Sequence, residues 1–551
     1  MIVPTRCRVS RRALAVLLSG LALAATAQER PAAAPGATPG AAIQVTGFRL
    51  GGNTLLPQPQ VDAALQPFKG RRTLEQLQAA AAAVQALYAQ AGYGAVVVFV
   101  PPQSPADGIV SLNVVEGRLA RISISGQSQF STANVAASLP ALQTGRTPRL
   151  RDIDGQLQMA NENTSKQTQV LLLPGQAPGE VDAQITLTER PLQRWTVSLD
   201  NTGNDRTGDF RAGLSWRHAN LSDQDDVLTA QFTTSPDEPS AVKVFSLGYR
   251  LPLYGPRVML DAYAARSDVD GGSTPTAAGD LRFNGRGRLF GVRAGWFLPR
   301  WGEVDQRLAL GLDHRDYLNQ CGIVGLPQGV CGPAGESVSV QPLTLEYTVR
   351  AGGALTWGAG ASLIANLQLG GRHTSDASFE AVRTGARPGY VAVRASAFAG
   401  TAVWEDWQLF TRASAQWSED ALVPGEQFGI GGGGSVRGYE ERELVGDRGV
   451  QWTFELSSPA LGGGVGGGGG GGSAGPAVRA LAFGDAGHVN NRLGAPCQEG
   501  RASCTLASVG LGLRVDSPRT QLRADLGFAL KDALRTRKND TRLHLAVNHS
   551  F

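Results

Sequence analysis

Few residues in this 551-residue chain are placed to do chemistry, and Arg437 is foremost among them. It lies in FGIGGGGSVRGYEERELVGDRG, Phe428 to Gly449, behind four glycines (Gly431 to Gly434) and ahead of Gly438 and Tyr439. The stretch has neither helical nor strand periodicity, and a long loop of that kind usually has a function. A phosphate cradle is one use for such glycines. However, the chain has no G-x-x-x-x-G-K-[ST], and none of its five lysines follows a glycine. The six histidines (His218, His314, His373, His488, His544 and His549) show no metal-ligand spacing, and H-E-x-x-H is missing. Neither an enzyme nor a metal site is expected, and no cofactor.

Four further cysteines form two close pairs, Cys321 with Cys331 in CGIVGLPQGVC and Cys497 with Cys504 in CQEGRASC. Two local disulfides are the natural reading in an oxidising compartment. Zinc is the alternative, although neither pair has C-x-x-C spacing. Export is indicated by the N-terminus, where Arg6, Arg8, Arg11 and Arg12 precede ALAVLLSGLALAA and a small-residue ATA. This is the order of a secretory signal peptide over residues 1–27. Cys7 would leave with it.

The net charge of +4 is small for the length and gives no reason to expect nucleic acid. No apolar run reaches the ~18 residues of a membrane helix. Any membrane crossing must therefore be made by strands.

Residues 28–42, QERPAAAPGATPGAA, read as a linker. From Ile43 the order is strand (IQVTGFRL), helix, helix, strand (AVVVFVP), strand (IVSLNVV), closing near residue 118. Thr73 and Gln76 have capping-box spacing ahead of the second helix, whose apolar face runs from Leu74 to Tyr88. The same plan restarts at ARISISGQSQF and closes near residue 190, which suggests two repeats of an elongated arm.

Residues 191–551 change texture. Segments such as RWTVSLDNT, DVLTAQFTTS and QLRADLGFAL alternate apolar with polar residues, and short joints (YGP, WGE) alternate with long ones (Ser267 to Asp280, Asn319 to Ser337, Ala421 to Gly449). That asymmetry predicts a transmembrane barrel of about 16 antiparallel strands. A soluble propeller or sandwich explains neither the asymmetry nor the ending LHLAVNHSF. There, Leu543, Leu545, Val547 and Phe551 share a face, and the terminal aromatic residue looks like an outer-membrane sorting signal. In AVRALAFGDAG, alternation sends Val478, Ala480, Ala482, Gly484 and Ala486 to lipid and Arg479, Phe483 and Asp485 inward.

Two α+β repeats, the barrel, SVRGY at Ser435 to Tyr439 and FGDAG at Phe483 to Gly487 together resemble the two-partner secretion transporters, also called haemolysin-activation or haemagglutinin-exporter proteins. The resemblance covers roughly residues 43–551. It implies two polypeptide-transport-associated (POTRA) repeats in the periplasm, at 43–118 and 119–190. It also implies a lid loop at about 419–449 that folds into the barrel and carries Val436, Arg437, Gly438 and Tyr439. Arg437 would then meet Asp485 on the strand that also carries Phe483 and Gly487. The implied partner is an unfolded exoprotein of the haemagglutinin or haemolysin type, exported without ATP, and outer-membrane lipid and the barrel-assembly machinery are further partners. Many members have an N-terminal helix that plugs the pore, whereas Gln28 to Ala42 is short and proline-rich. A barrel-assembly factor would share fold and anchor but usually carries more repeats, and a passive porin has no use for repeats or lid. The seven glycines Gly466 to Gly472 fall on an expected periplasmic turn.

Overall fold

The computed structural model describes residues 42–551 except 106, 205–206, 270–272, 277–278, 283–284, 319–335, 462–474, 495–496 and 499. The signal sequence, nearly all of the linker, Cys321, Cys331 and the seven-glycine run lie outside the described residues.

The first repeat comprises β1 (Ile43–Val45), β2 (Gly47–Gly51), α1 (Gln58–Leu65), β3 (Gly70–Arg72), α2 (Leu74–Gln90), β4 (Val96–Phe99) and β5 (Ile109–Glu116). Thr73 and Gln76 cap α2 reciprocally, at 3.1 and 3.4 Å. Leu77, Ala81, Val84 and Tyr88 are buried, whereas Leu74 in the first turn is exposed. One departure from the expected order is β3, a three-residue strand between the helices that pairs with β1. It is too short for alternation to reveal.

The second repeat comprises β6 (Arg118–Ser125), α3 (Thr132–Ser138), α4 (Leu150–Ala160), β7 (Lys166–Pro174) and β8 (Glu180–Glu189). The sheet orders are β2-β5-β4 and β6-β8-β7, so each outer strand pairs with a single neighbouring strand. Glu189 holds the turn into α3 by accepting hydrogen bonds from the amides of Ser128 (3.0 Å), Gln129 (2.8 Å) and Phe130 (3.3 Å) and from the Ser128 hydroxyl (2.6 Å). Burial pushes its pKa up, but these donors outweigh burial and hold it below the ordinary carboxylate value. Ionised Glu189 therefore stabilises the turn above the unfolded pKa, and that stability is lost as pH falls through the lower folded value. Hydrogen exchange on the full chain should show the Ser128–Phe130 amides losing protection across that acidic window. Glu189→Gln should lack the pH dependence.

The barrel contains β9 (Gln193–Asp200), β10 (Arg211–His218), β11 (Val227–Thr234), β12 (Lys243–Leu253), β13 (Val258–Val269), β16 (Gly285–Trp301), β17 (Val304–Leu318), β18 (Val338–Val340), β19 (Pro342–Ala351), β20 (Leu355–Asn366), β21 (Val391–Val403), β22 (Trp407–Ser418), β25 (Arg448–Ser457), β26 (Ala477–Asn490), β27 (Ser503–Asp516), β28 (Thr520–Ala529) and β29 (Thr541–Ser550). Two hairpins belong to loops, β14 (Ser273–Thr276) with β15 (Gly279–Arg282), and β23 (Phe428–Ile430) with β24 (Leu444–Gly446). Since β18 and β19 both pair with β17 and are one strand broken at Gln341, the barrel has sixteen antiparallel strands. It closes where β29 pairs with β9. Trp195, Leu247, Phe290, Val292, Leu511 and Phe528 are among the many large apolar side chains exposed on its outside, a belt that suits hydrocarbon and not water.

The second repeat is fastened to the barrel's near end through the 219–226 turn. Lys166, wholly buried, meets Asp225 at 2.6 Å and Asn134 at 3.2 Å, and Tyr254 shares the Asp225 carboxylate at 2.5 Å. Loops at the far end include 367–390, which carries α5 (Asp376–Val382), and the long connection 419–447 between β22 and β25.

Candidate functional site

The site is built on β26. Leu481, Phe483, Asp485, Gly487 and Val489 are buried on its inner face, while Ala480, Ala482 and Ala486 are exposed. The 419–447 connection folds into the lumen and brings Arg437 to this strand. Arg437 Nε and Nη2 donate to the two Asp485 oxygens at 2.7 and 2.9 Å, and the Arg437 amide donates to Oδ2 at 3.1 Å. Its guanidinium lies 3.5 Å from the centroid of the Phe483 ring. The side chain is 2% exposed.

The family resemblance implies one carboxylate for Arg437, and the structure surrounds it with three. Nη1 donates to Glu455 on β25 at 2.6 Å and reaches Asp525 on β28 at 3.5 Å. Arg514 on β27 grips Asp525 at 2.6 and 2.9 Å. Two guanidiniums thus balance most of the charge of three inward carboxylates, as burial at low dielectric demands.

The neighbours of Arg437 fix the lid tip. Gly438 has φ +90° and donates its amide to His544 of β29 at 2.9 Å. It lies against Gly527, where an added Cβ would come within 2.5 Å of the Gly438 nitrogen. Tyr439 is fully buried; its hydroxyl lies 2.9 Å from the carbonyls of Ala507 and Lys531 and accepts the Lys531 amide at 3.1 Å. Val436 packs with Phe428, Ile430, Leu444, Val489, Cys497, Cys504 and Leu506. A Cβ on Gly487 would meet Ile430 and Val436 at 3.0 Å, so the lid core rests directly on the β26 backbone there. A disulfide joins Cys497 of the 491–502 loop to Cys504 of β27, which places that loop against the same core. Phe551 follows β29 and is 62% exposed; its backbone pairs with Trp195 of β9 at 3.0 Å in both directions.

Several residues that hold the lid were not legible as such. Glu443, from the acidic cluster after Tyr439, accepts from the Arg535 and Thr536 amides at 2.7 Å and the Thr536 hydroxyl at 2.6 Å. Glu426 in the lid's first stem takes Arg315 at 2.9 Å and Tyr317 at 2.7 Å from the wall. Asp447 closes the other stem. Among the described residues, no group of three His, Cys, Asp or Glu side chains is placed to hold a metal ion.

Residues 179–515 match the family model of the haemolysin secretion/activation proteins ShlB/FhaC/HecB. The chain belongs to that family. Residues 43–117 match the ShlB-type POTRA domain. Similar proteins include the outer membrane transporter CdiB of Escherichia coli O6:K15:H31 (strain 536 / UPEC), 27% identical over 435 residues that span 76% of this chain and 70% of the relative. The CdiB of Dickeya dadantii (strain 3937) is 29% identical over 228 residues, 40% of each chain. Among solved structures, CdiB from Escherichia coli superposes with a TM-score of 0.77 at 21% identity, covering 96% of this chain and 93% of that one. CdiB from Acinetobacter baumannii gives 0.70 at 18% identity, with 94% and 91% covered. These superpositions show a shared fold of POTRA repeats and sixteen-stranded barrel.

Proposed function

We propose that this chain, an outer-membrane transporter of the two-partner secretion type, captures an unfolded partner exoprotein on its periplasmic POTRA repeats and passes it through the barrel once the lid has left the lumen. The observation that carries this reading is the lid itself. A loop fastened inside a pore by a buried guanidinium is a closed gate, and neither a passive porin nor a receptor has use for one.

The repeats supply a capture surface. The edge strands β4 and β7 expose Val97, Phe99, Leu171 and Leu173 along a sheet edge that no further strand covers, which is where an extended chain adds as a further strand. With the lid seated, a polar cavity of about 420 Å3 remains, lined by Thr344, Glu346, Ser362, Arg394, Ser396 and Ser414 among others. It marks the wall along which a chain would run after release. Binding on the repeats and folding of the cargo outside would supply the driving force. Lipid holds the barrel, and the barrel-assembly machinery inserts it.

Deleting the gene and assaying both the culture medium and the outer membrane tests the reading. The exoprotein should disappear from the medium while other outer-membrane barrels keep their normal amounts. Loss of those barrels with secretion unaffected would instead make the chain an insertion factor.

A further inference from the structure

At the far end of the barrel a second fastening stands apart from the Arg437 anchor. Asp447, the last lid residue before β25, is fully buried. Its Oδ1 accepts from Arg383 Nη1 at 2.5 Å, the Leu422 amide at 2.9 Å and Gln427 at 3.3 Å. Its Oδ2 accepts from Arg383 Nη2 at 2.7 Å and the Arg492 amide at 2.8 Å. One carboxylate thereby ties both lid stems to two further far-end loops, 367–390 and 491–502. A bidentate pair of this kind fixes direction as well as distance.

The 367–390 loop reaches into the barrel. Its helix α5 is N-capped by Ser375, whose hydroxyl accepts the Ser378 amide at 3.2 Å. Phe379, Val382 and Tyr390 pack with Leu422 and Val423 of the lid stem in a cluster that also takes in Leu289 and Tyr317 from the wall. Ala386 pairs with Ala421 as a parallel bridge. The lid tip has its own separate core, so releasing Arg437 from Asp485 would leave α5 and the stem joined across the outer end.

We propose that the 367–390 loop is a second, outer gate latched to the lid by Arg383 on Asp447, and that export requires this latch to part as well as the inner anchor. The inference rests on the export reading and goes beyond it by placing a separate barrier at the exit.

Two experiments on the full chain test it. Ala386→Cys with Ala421→Cys should form a disulfide that staples loop to lid. Oxidised, it should cut exoprotein secretion by a factor of about ten or more, and reductant should restore it, with the wild type under both conditions as control. Wild-type secretion with the staple fully formed would overturn the proposal. Independently of any exoprotein, Arg383→Gln in planar bilayers should raise the frequency of open-channel events by about ten-fold. Unchanged gating in a variant whose barrel still shows heat-modifiable migration would likewise overturn it. If the wild type exports no exoprotein, the export reading fails, and the bilayer recording still decides whether the latch exists.

Discussion

Arg437→Ala is expected to leave a folded barrel whose lid no longer seats, with raised resting conductance and reduced secretion of the exoprotein. The substitution strands Asp485, fully buried, together with Glu455 and Asp525 around a vacant centre. Removing one partner of a buried pair typically costs ~3–5 kcal/mol, because the remaining charge is unpaired. Here the remaining carboxylates also repel one another, and Arg514 reaches only two of them, Asp525 at 2.6 Å and Glu455 at 3.8 Å. Arg437→Lys should fall between the two, since an ammonium keeps the charge but not the planar fork that spans Asp485 and Glu455 together. Conductance in planar bilayers and secretion per barrel, normalised by heat-modifiable migration, would measure both effects. Wild-type conductance in Arg437→Ala would mean that the lid is held without its arginine.

Gly527→Val should produce a comparable defect without touching a single charge. A Cβ at 527 falls 2.5 Å from the Gly438 nitrogen and 2.8 Å from the Arg437 carbonyl carbon and the Gly438 Cα. These are backbone atoms of a tip already pinned by Asp485 and His544, so the tip must move and the short bonds to Asp485 must stretch. Gly484→Val is the matched control. Gly484 lies on the anchor strand β26 but on its lipid-facing side, and an added Cβ there meets nothing within 4 Å. Lid opening in the 527 variant and none in the 484 variant is the expected pattern, and equal conductance in both would remove the steric argument.

Much of this fold was legible because strand alternation and loop asymmetry are local signals. Sixteen strands, their order and the change of texture near residue 190 all follow from runs of eight to seventeen residues. The meeting of Arg437 with Asp485 came from a family resemblance, and alternation alone showed only that Asp485 points inward. Glu455, Asp525 and Arg514 also point inward by alternation, but so do many polar residues. Which of them stand at the height of Arg437 depends on the registers of β25 to β28, such as Thr453 opposite Asp485 and Gly512 opposite Asp525. No short window of sequence contains that information. His544 has no metal-ligand spacing to single it out. Its place between outward Leu543 and Leu545 was a signal that it faces the lumen, where it receives Gly438. Asp447, in VGDRG, offered nothing beyond an acidic residue among glycines, because its partners Arg383 and Arg492 lie on other loops.

On the export reading, the lid that occupies the lumen at rest must leave it before a chain can pass. Tethering the lid tip to the wall tests this most directly. Val436→Cys with Gly487→Cys is suited to the purpose, since a Cβ at 487 would lie 3.0 Å from the Val436 side chain. Secretion of the exoprotein would be followed with the tether oxidised and then reduced, beside wild type treated identically. Export should stop with the tether closed and resume when it is opened. Export at the wild-type rate through a fully tethered barrel would contradict it.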